Sequence, residues 1–306
     1  MARYILRRLT YSVVSLLLLS LTIFLFVRVT GDPTTLLVEP GASQADIDAI
    51  RERFGLDQPI WVQYWSFMAS LAQGDFGQSF YYRTPVLELY LSRLPNSLLL
   101  AAVAMALSLL IGIPSGILAA VRVDRFWDSA GKIFALLGLS LPQFWVGLVL
   151  ILVFSVYLGW LPSSGSGTFL HLLMPAFTLG WYFAAAHMRM TRSSMLEVLG
   201  SEYVKLARLK GLPEALVIGK HALKNALIPV ITLAGINLVV MINVAVVVET
   251  VFAWPGIGRL LYEGITFRDF PVVQGVVIMG GAMIVMVNFL VDVLYAVIDP
   301  RIRLEK

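Results

Sequence analysis

Cysteine is absent from the 306-residue chain, which excludes a disulfide framework, a thiolate metal site and a cysteine nucleophile. Charge is scarce as well: 14% of residues are Asp, Glu, Lys or Arg, against roughly a quarter in a soluble domain. Only three histidines occur, and His171, His187 and His221 are too scattered in sequence to outline a metal site. No G-x-x-x-x-G-K-[ST] phosphate loop is present, so no cofactor site for ATP is expected in this chain. Clustered histidines, paired carboxylates and an activated nucleophile are all missing, and no catalytic residue is assigned.

What the chain has is apolar residues, 58% of the total, and such a composition belongs in lipid. The net charge of +4 and pI near 9.3 do not point to nucleic acid, because the basic residues sit between apolar runs rather than along one soluble face. Arg3, Arg7 and Arg8 precede an apolar stretch from Tyr11 to Val29, a charge layout shared with signal peptides. The stretch is long and Thr30-Gly31-Asp32-Pro33 offers no A-x-A-like cleavage site, so an uncleaved spanning helix is expected.

A bilayer core of about 30 Å takes roughly 20 apolar helical residues to cross. Six segments qualify, at approximately 10–29, 98–121, 133–158, 171–190, 228–250 and 273–297. Pro175, His187 and Arg189 crowd the fourth, and omitting it would put the termini on opposite sides. Orientation follows the Lys and Arg residues, which are retained in cytoplasmic loops. With the N-terminus inside, the inner segments 1–9, 122–132, 189–227 and 298–306 hold three, three, seven and three of the 23 basic residues. The expected fold is thus an all-α, multi-pass integral membrane protein with six transmembrane helices and both termini cytoplasmic.

Three connections carry pattern. The external segment 31–96 contains a short amphipathic helix over Asp46 to Phe54 that stops at Gly55, followed by Trp61, Tyr64, Trp65, Tyr81 and Tyr82, aromatics of the kind that anchor at a membrane interface. Trp254-Pro255-Gly256-Ile257-Gly258-Arg259 reads as a tight bend at the external surface. The cytoplasmic segment 191–226 reads as a helical hairpin. Ser194 and Glu197 fit a capping box, Ser201 caps a helix over Glu202 to Lys210, Gly211 ends it, and Pro213 opens a second helix over Glu214 to Ala226. Val204, Ala207 and Arg208 share a face, with a small residue at the centre of a projecting knob. Two readings of the hairpin stand side by side: a dock for another protein, or an amphipathic hairpin lying on anionic lipid through its basic residues.

Glu202-Tyr203-Val204-Lys205-Leu206-Ala207-Arg208-Leu209-Lys210-Gly211, followed by His221-Ala222-Leu223-Lys224-Asn225 and Pro229, resembles the cytoplasmic coupling loop of binding-protein-dependent ABC permeases of the dipeptide, oligopeptide and nickel branch. Leu56-Asp57-Gln58-Pro59, Gly74-Asp75-Phe76-Gly77, Phe252 to Arg259, Arg268 to Gln274 and Val291 to Arg303 are similar to the same branch. Where the general loop has Glu-Ala-Ala, this chain has Lys205, Leu206 and Ala207, a difference that belongs to the peptide and nickel branch. The resemblance implies a type I ABC importer permease fold in the bacterial inner membrane. It implies transport of dipeptides or oligopeptides, or alternatively of nickel chelates, glutathione or small sugars. Partners implied are a second homologous permease subunit, two ATP-binding cassette ATPases that carry ATP and Mg, and an extracytoplasmic solute-binding protein. Glu202, Tyr203, Lys205, Ala207, Arg208, Lys210, Gly211, His221, Asn225 and Pro229 would form the ATPase contact, with Ala207 and Gly211 giving close approach.

Polar residues inside spans cost a few kcal/mol when charged and are functional suspects by default. Asn237, Asn243 and Glu249 are the candidates for the translocation path or a gate, Glu249 lying at the external end of its span. Asn288 and Asp292, four apart, share a helix face and read as a packing pair; Gln143 completes the set. Gly112 and Gly116 form a small-x-x-x-small pair around Pro114, fit for close helix crossing. An ion-driven secondary transporter is the competing class, but the two halves of the chain show no evident repeat and the hairpin would have no task in it.

Overall fold

The computed structural model describes the backbone of residues 2–30, 44–53, 55 and 57–298. Helices α1 (Ala2–Thr30), α2 (Gln44–Arg53), α3 (Ile60–Ala72), α4 (Val86–Val121), α5 (Phe126–Ser140) and α6 (Gln143–Leu150) lead into a π-helical turn, Ile151–Tyr157. There follow α7 (Phe169–Leu199), α8 (Glu202–Leu209), α9 (Glu214–Val251), α10 (Ile257–Thr266) and α11 (Phe270–Ile298). Among the described residues no strand forms beyond one bridge between Gln78 and Pro85. Helices α1, α4, α7, α9 and α11 are each long and apolar enough to cross a membrane, and α5 with α6 makes a sixth crossing if the bent pair is one span.

Three local expectations change in the structure. The segment expected as one span over 133–158 is two helices that turn by 105° at Leu141 and Pro142. Leu141 is extended (φ −81°, ψ 129°), as the residue before a proline prefers, and the helical ladder ends there. Ser194 caps nothing: α7 runs through it to Gly200, and its side chain is buried, so packing overrides the local capping signal. The second arm of the hairpin is not a separate helix. It is the first part of α9, continuous from Glu214 to Val251 through a π-helical stretch at Val217–Ala222 and with Pro229 inside. The short helix before Gly55 is present as Gln44–Arg53, and Gly55 takes φ +62°.

The chain divides into two compact units, 1–94 with 260–306, and 95–259. In the first, Ile23 and Val27 of α1 pack on Phe270 and Val273 of α11. Phe24 stands edge-on to Tyr64 of α3 at 5.4 Å, and Ser20 Oγ lies 3.0 Å from the Tyr64 hydroxyl. The loop before α4 is tied down by Asp269, which is buried and accepts from Ser79 Oγ (2.5 Å) and the Tyr81 N–H (3.0 Å). Beside it the Tyr82 hydroxyl donates to Glu263 at 2.6 Å. Trp61 and Trp65 of α3 are two-thirds exposed, as interface anchors are.

In the second unit the core is built on α7. Leu172, Leu179 and Phe183 pack with Leu100 and Ala104 of α4 and with Met241 and Val248 of α9. The approach of α4 to α7 is backbone to backbone. A Cβ on Gly112 would lie 2.8 Å from the Ala184 carbonyl oxygen and from His187 Cβ; one on Gly116 would lie 2.6 Å from Thr191 Cβ; one on Gly180 would lie 2.7 Å from the Ala104 carbonyl oxygen. The small-x-x-x-small pair is therefore a crossing point.

Two outcomes follow. Gly112→Val should destabilise the purified protein by about 1–3 kcal/mol through overpacking, read as a lowered melting temperature, whereas Gly235→Ala in α9, with no atom within 4 Å of the added Cβ, should be neutral or stabilising. The Tyr82 phenol is pushed up to about 12, first by burial and then by the hydrogen bond to the Glu263 carboxylate. Because the folded state favours the neutral phenol, its contribution is complete below the ordinary tyrosine value near 10 and is lost as pH rises through about 12. An ultraviolet titration should show a late-ionising phenol that Tyr82→Phe removes.

Candidate functional site

The hairpin joining α7 to α9 is built by a chain of local rules. Ser201 occupies the cap position of α8 by its backbone, but its hydroxyl donates back to the Val198 carbonyl (2.6 Å), closing the end of α7 instead of the start of α8. At the far end Gly211 adopts φ +75°, with its N–H on the Arg208 carbonyl (2.9 Å) and the Leu212 N–H on the Ala207 carbonyl (3.4 Å). This is the paired closure of a Schellman motif, and it needs a residue free to take a left-handed conformation. Arg208 then forks onto Glu214 at 3.1 and 2.7 Å, locking the two arms, and Asn225 Nδ2 donates to the Tyr203 hydroxyl at 2.7 Å. Lys205 pairs with Glu202 along the helix at 2.8 Å.

Burial divides α8 into two faces. Val204 and Ala207 point inward and pack with Val217, Ala222 and Ala226 of α9 and with Ala120 and Met195. Ala207 is therefore not the centre of an exposed knob, as its spacing led us to expect; it is 7% exposed and belongs to the hairpin's own core. The outward face carries Tyr203, Leu206 and Leu209, the last 84% exposed. Leu206 and Leu209 escaped the sequence reading, although their position opposite Val204 and Ala207 on a two-turn helix was a signal for them. Lys210 and Gly211 are exposed beside them; Asn225 and Pro229 are exposed on α9, and His221 is half-buried in its π-helical stretch. Of the seven basic residues over 189–227, Arg192, Lys205 and Arg208 are held by carboxylates of the chain itself, which weakens the lipid-surface reading.

The polar residues within spans fall into different settings. Asn237 Nδ2 lies 3.3 Å from His187 Nε2, and His187 Nδ1 lies 3.2 Å from Ser108 Oγ. Ser108 donates to the Met105 carbonyl, so its oxygen accepts from Nδ1–H while Nε2 accepts from Asn237, and the neutral imidazole links α4, α7 and α9. Asn243 is exposed and donates to the Val239 carbonyl in its own helix. Glu249, expected at a watery gate, is instead fully buried. Its carboxylate accepts from Ser97 Oγ (2.6 Å) and the Arg259 N–H (3.0 Å), while Ser97 Oγ accepts from the Ile257 N–H (2.8 Å). Gly256 sits directly against the carboxylate, leaving no room for a Cβ. Trp254 is buried, donating to the Asn96 carbonyl, so the 252–259 corner is an internal brace and not a surface bend. Gln143 starts α6 and Asn288 is exposed on α11; the side chain of Asp292 lies outside the described residues.

One cluster had no sequence signal, because its members are far apart. Asp128 of α5 is fully buried and accepts from Arg192 of α7 (2.7 and 3.1 Å) and from Lys132 (2.9 Å). A cavity of about 800 Å³ opens beside it between α5 and α7. Among the described residues no group of three His, Asp or Glu side chains could hold a metal ion.

Residues 112–304 match the family described as "Binding-protein-dependent transport system inner membrane component", and residues 1–101 match its N-terminal companion, "Binding-prot-dependent transport system membrane comp, N-term". The chain belongs to this family. It is a multi-pass inner-membrane permease of the ABC importer class, in the branch that includes dipeptide, oligopeptide, nickel and glutathione systems. Relatives of this permease include the glutathione transport system permease protein GsiC of Salmonella choleraesuis, 42% identical over 304 residues and covering 99% of both chains. The GsiC protein of Escherichia coli K12 is 40% identical with the same coverage. Among solved structures, the MetNI methionine ABC transporter in an inward-facing conformation superposes with a TM-score of 0.53 at 20% identity, covering 70% of the permease and 97% of that chain. An amino acid ABC transporter superposes at 0.54 and 15% identity, over 68% and 93%. These two share the fold.

The brace at Glu249 makes a sharp expectation. Ser97→Ala removes one donor to the buried carboxylate and the acceptor of the Ile257 N–H, and should lower stability by about 1–3 kcal/mol. Glu249→Leu should cost more, since Ser97 and the Arg259 N–H both lose their anion; thermal melting of the purified permease measures both.

Proposed function

We propose that this permease is the pore-forming subunit of an ATP-driven importer of small peptides, glutathione among them, and that the α8 hairpin is where its ATPases dock. The observation that carries the reading is the outward face of α8. Tyr203, Leu206 and Leu209 are held in the open by a frame that is cross-linked internally through Arg208–Glu214 and Asn225–Tyr203. A soluble end with that much apolar surface calls for a protein groove to cover it. Gly211, with no atom within 4 Å of its missing Cβ, would let a partner backbone approach closely, and Lys205, Lys210 and His221 would form the rim.

In this reading the chain crosses the membrane six times, α5 and α6 acting as one bent span, with both termini and the hairpin in the cytoplasm. The placement of Lys and Arg supports that orientation. ATP and Mg²⁺ belong to two partner ATPases, a second homologous permease subunit completes the pore, and an extracytoplasmic binding protein delivers the cargo. ATP-driven closure of the ATPases would push the two hairpins together and reorient the helices. The full-length similarity to glutathione permeases supports a small-peptide cargo; nickel chelates and small sugars are the competing cargoes.

Leu209→Glu should leave membrane insertion intact, yet abolish ATPase co-purification and reduce ATP-dependent uptake of glutathione or dipeptide in proteoliposomes by at least tenfold. Uptake at the wild-type rate in that variant, or without the ATPases, would overturn the coupling. Uptake of nickel chelate or sugar in place of peptide would reassign the cargo.

A further inference from the structure

The cavity between α5 and α7 has a built asymmetry. Lys132 lines it from α5, and Arg189 and Arg192 from α7; Leu136 and Leu139 of α5 and Leu233 of α9 add apolar lining. Buried Asp128 fixes Lys132 and Arg192. Arg189 is exposed to the cavity and, among the described residues, makes no ion pair. Three cations therefore stand against buried Asp128 and exposed Asp124, the latter 3.9 Å from Lys132, and the one cation left over is Arg189. An arginine at the edge of a membrane span, lining a cavity and not ion-paired among the described residues, is placed to receive an anion from outside the chain. The volume, about 800 Å³, is of the size that holds a small organic ligand.

We propose that this cavity is a cargo subsite within the membrane domain, in which Arg189 receives a carboxylate of the peptide while its apolar part lies along Leu136, Leu139 and Leu233. The inference rests on the peptide-importer reading above and adds a position to it. The alternative anion is the phosphate of an inner-leaflet lipid. The single cation left over fits a carboxylate-sized charge, and Ser193 and Tyr182 of α7, which line the same cavity, provide hydroxyls suited to a peptide's amides.

The test uses the permease assembled with its partner subunits in nanodiscs without the binding protein, and radiolabelled glutathione as the probe. Saturable binding is expected to weaken about tenfold in Arg189→Gln, to recover to within about threefold in Arg189→Lys, and to resist competition by glutathione dimethyl ester. Equal binding by Arg189→Gln, equal competition by the ester, or no saturable binding to the wild type overturns the subsite. Unchanged glutathione binding with loss of co-purified phosphatidylglycerol assigns the cavity to lipid and likewise overturns it. Uptake with the binding protein present, measured separately on the wild type, judges the peptide-importer reading: uptake of glutathione or dipeptide with no Arg189 effect leaves that reading standing and the subsite refuted. Arg189→Gln should melt at the wild-type temperature, since it removes no ion pair described in the chain.

Discussion

In a bilayer the lipid tails compete for every apolar contact, so burying leucines between helices gains little over leaving them in lipid, and association must come from close packing and from polar groups that find partners. The crossing of α4 on α7 meets that constraint through absent side chains: Gly112, Gly116 and Gly180 allow carbonyls and Cβ atoms of the opposing helix to occupy the space where their own Cβ would be. The rest of the second unit is hung on this contact. His187, set beside Gly112, reaches Ser108 on α4 and Asn237 on α9, and Met188 fills the space beside Gly131 of α5. One glycine-lined face therefore fixes α7 as the helix that α4, α5, α6 and α9 all pack against.

Polar residues in the spans then divide by what they hold. Asp128 and Glu249 are both fully buried carboxylates, yet each is surrounded by donors: guanidinium and ammonium groups for the first, a hydroxyl and a backbone N–H for the second. A buried charge is tolerated only under such conditions. Each of these carboxylates joins segments distant in sequence, α5 to α7 at Asp128, and the start of the spanning part of α4 to the 252–259 corner at Glu249. Both are fasteners of the fold, and the cation left over at Arg189 beside the Asp128 cluster is what distinguishes the cavity from ordinary packing.

Much of this was legible in the sequence, and the reasons for the remainder are physical. Span length and glycine spacing depend on nearest neighbours along a helix, so the long apolar helices, the α4 crossing and the left-handed Gly211 could be read directly. Ser194 was misread because a capping signal is weak beside the burial of a helix face. The segment 133–158 passed as one span on length and hydropathy; Pro142 pushes Leu141 to an extended backbone, and the 105° angle depends on what both halves pack against. Ala207 was placed on the wrong side because i, i+3 spacing identifies a face without saying which way it points. Glu249 looked watery from its position near a span end, and only the tertiary donors Ser97 and Arg259 explain why it is not. The Asp128–Arg192 pair, 64 residues apart, left no local trace at all.

The continuity of the hairpin with α9 bears on how force could pass through the molecule. A hinge between hairpin and span would let the projecting end swing without moving the membrane helix. Instead Glu214–Val251 is one helix of 38 residues, about 57 Å long at 1.5 Å per residue, and its first turn is clamped to α8 by Arg208–Glu214. A displacement applied to α8 must therefore tilt or translate α9 as a body, except where the ladder is loosened. Two places are loosened, and they are adjacent: the π-helical stretch Val217–Ala222, and Pro229, which cannot donate to the Asn225 carbonyl. Both lie on the hairpin side of Asn237, so the part of α9 that holds Asn237 and Glu249 is a helix unbroken by either, and small reorientations of the hairpin end can be absorbed before they reach it.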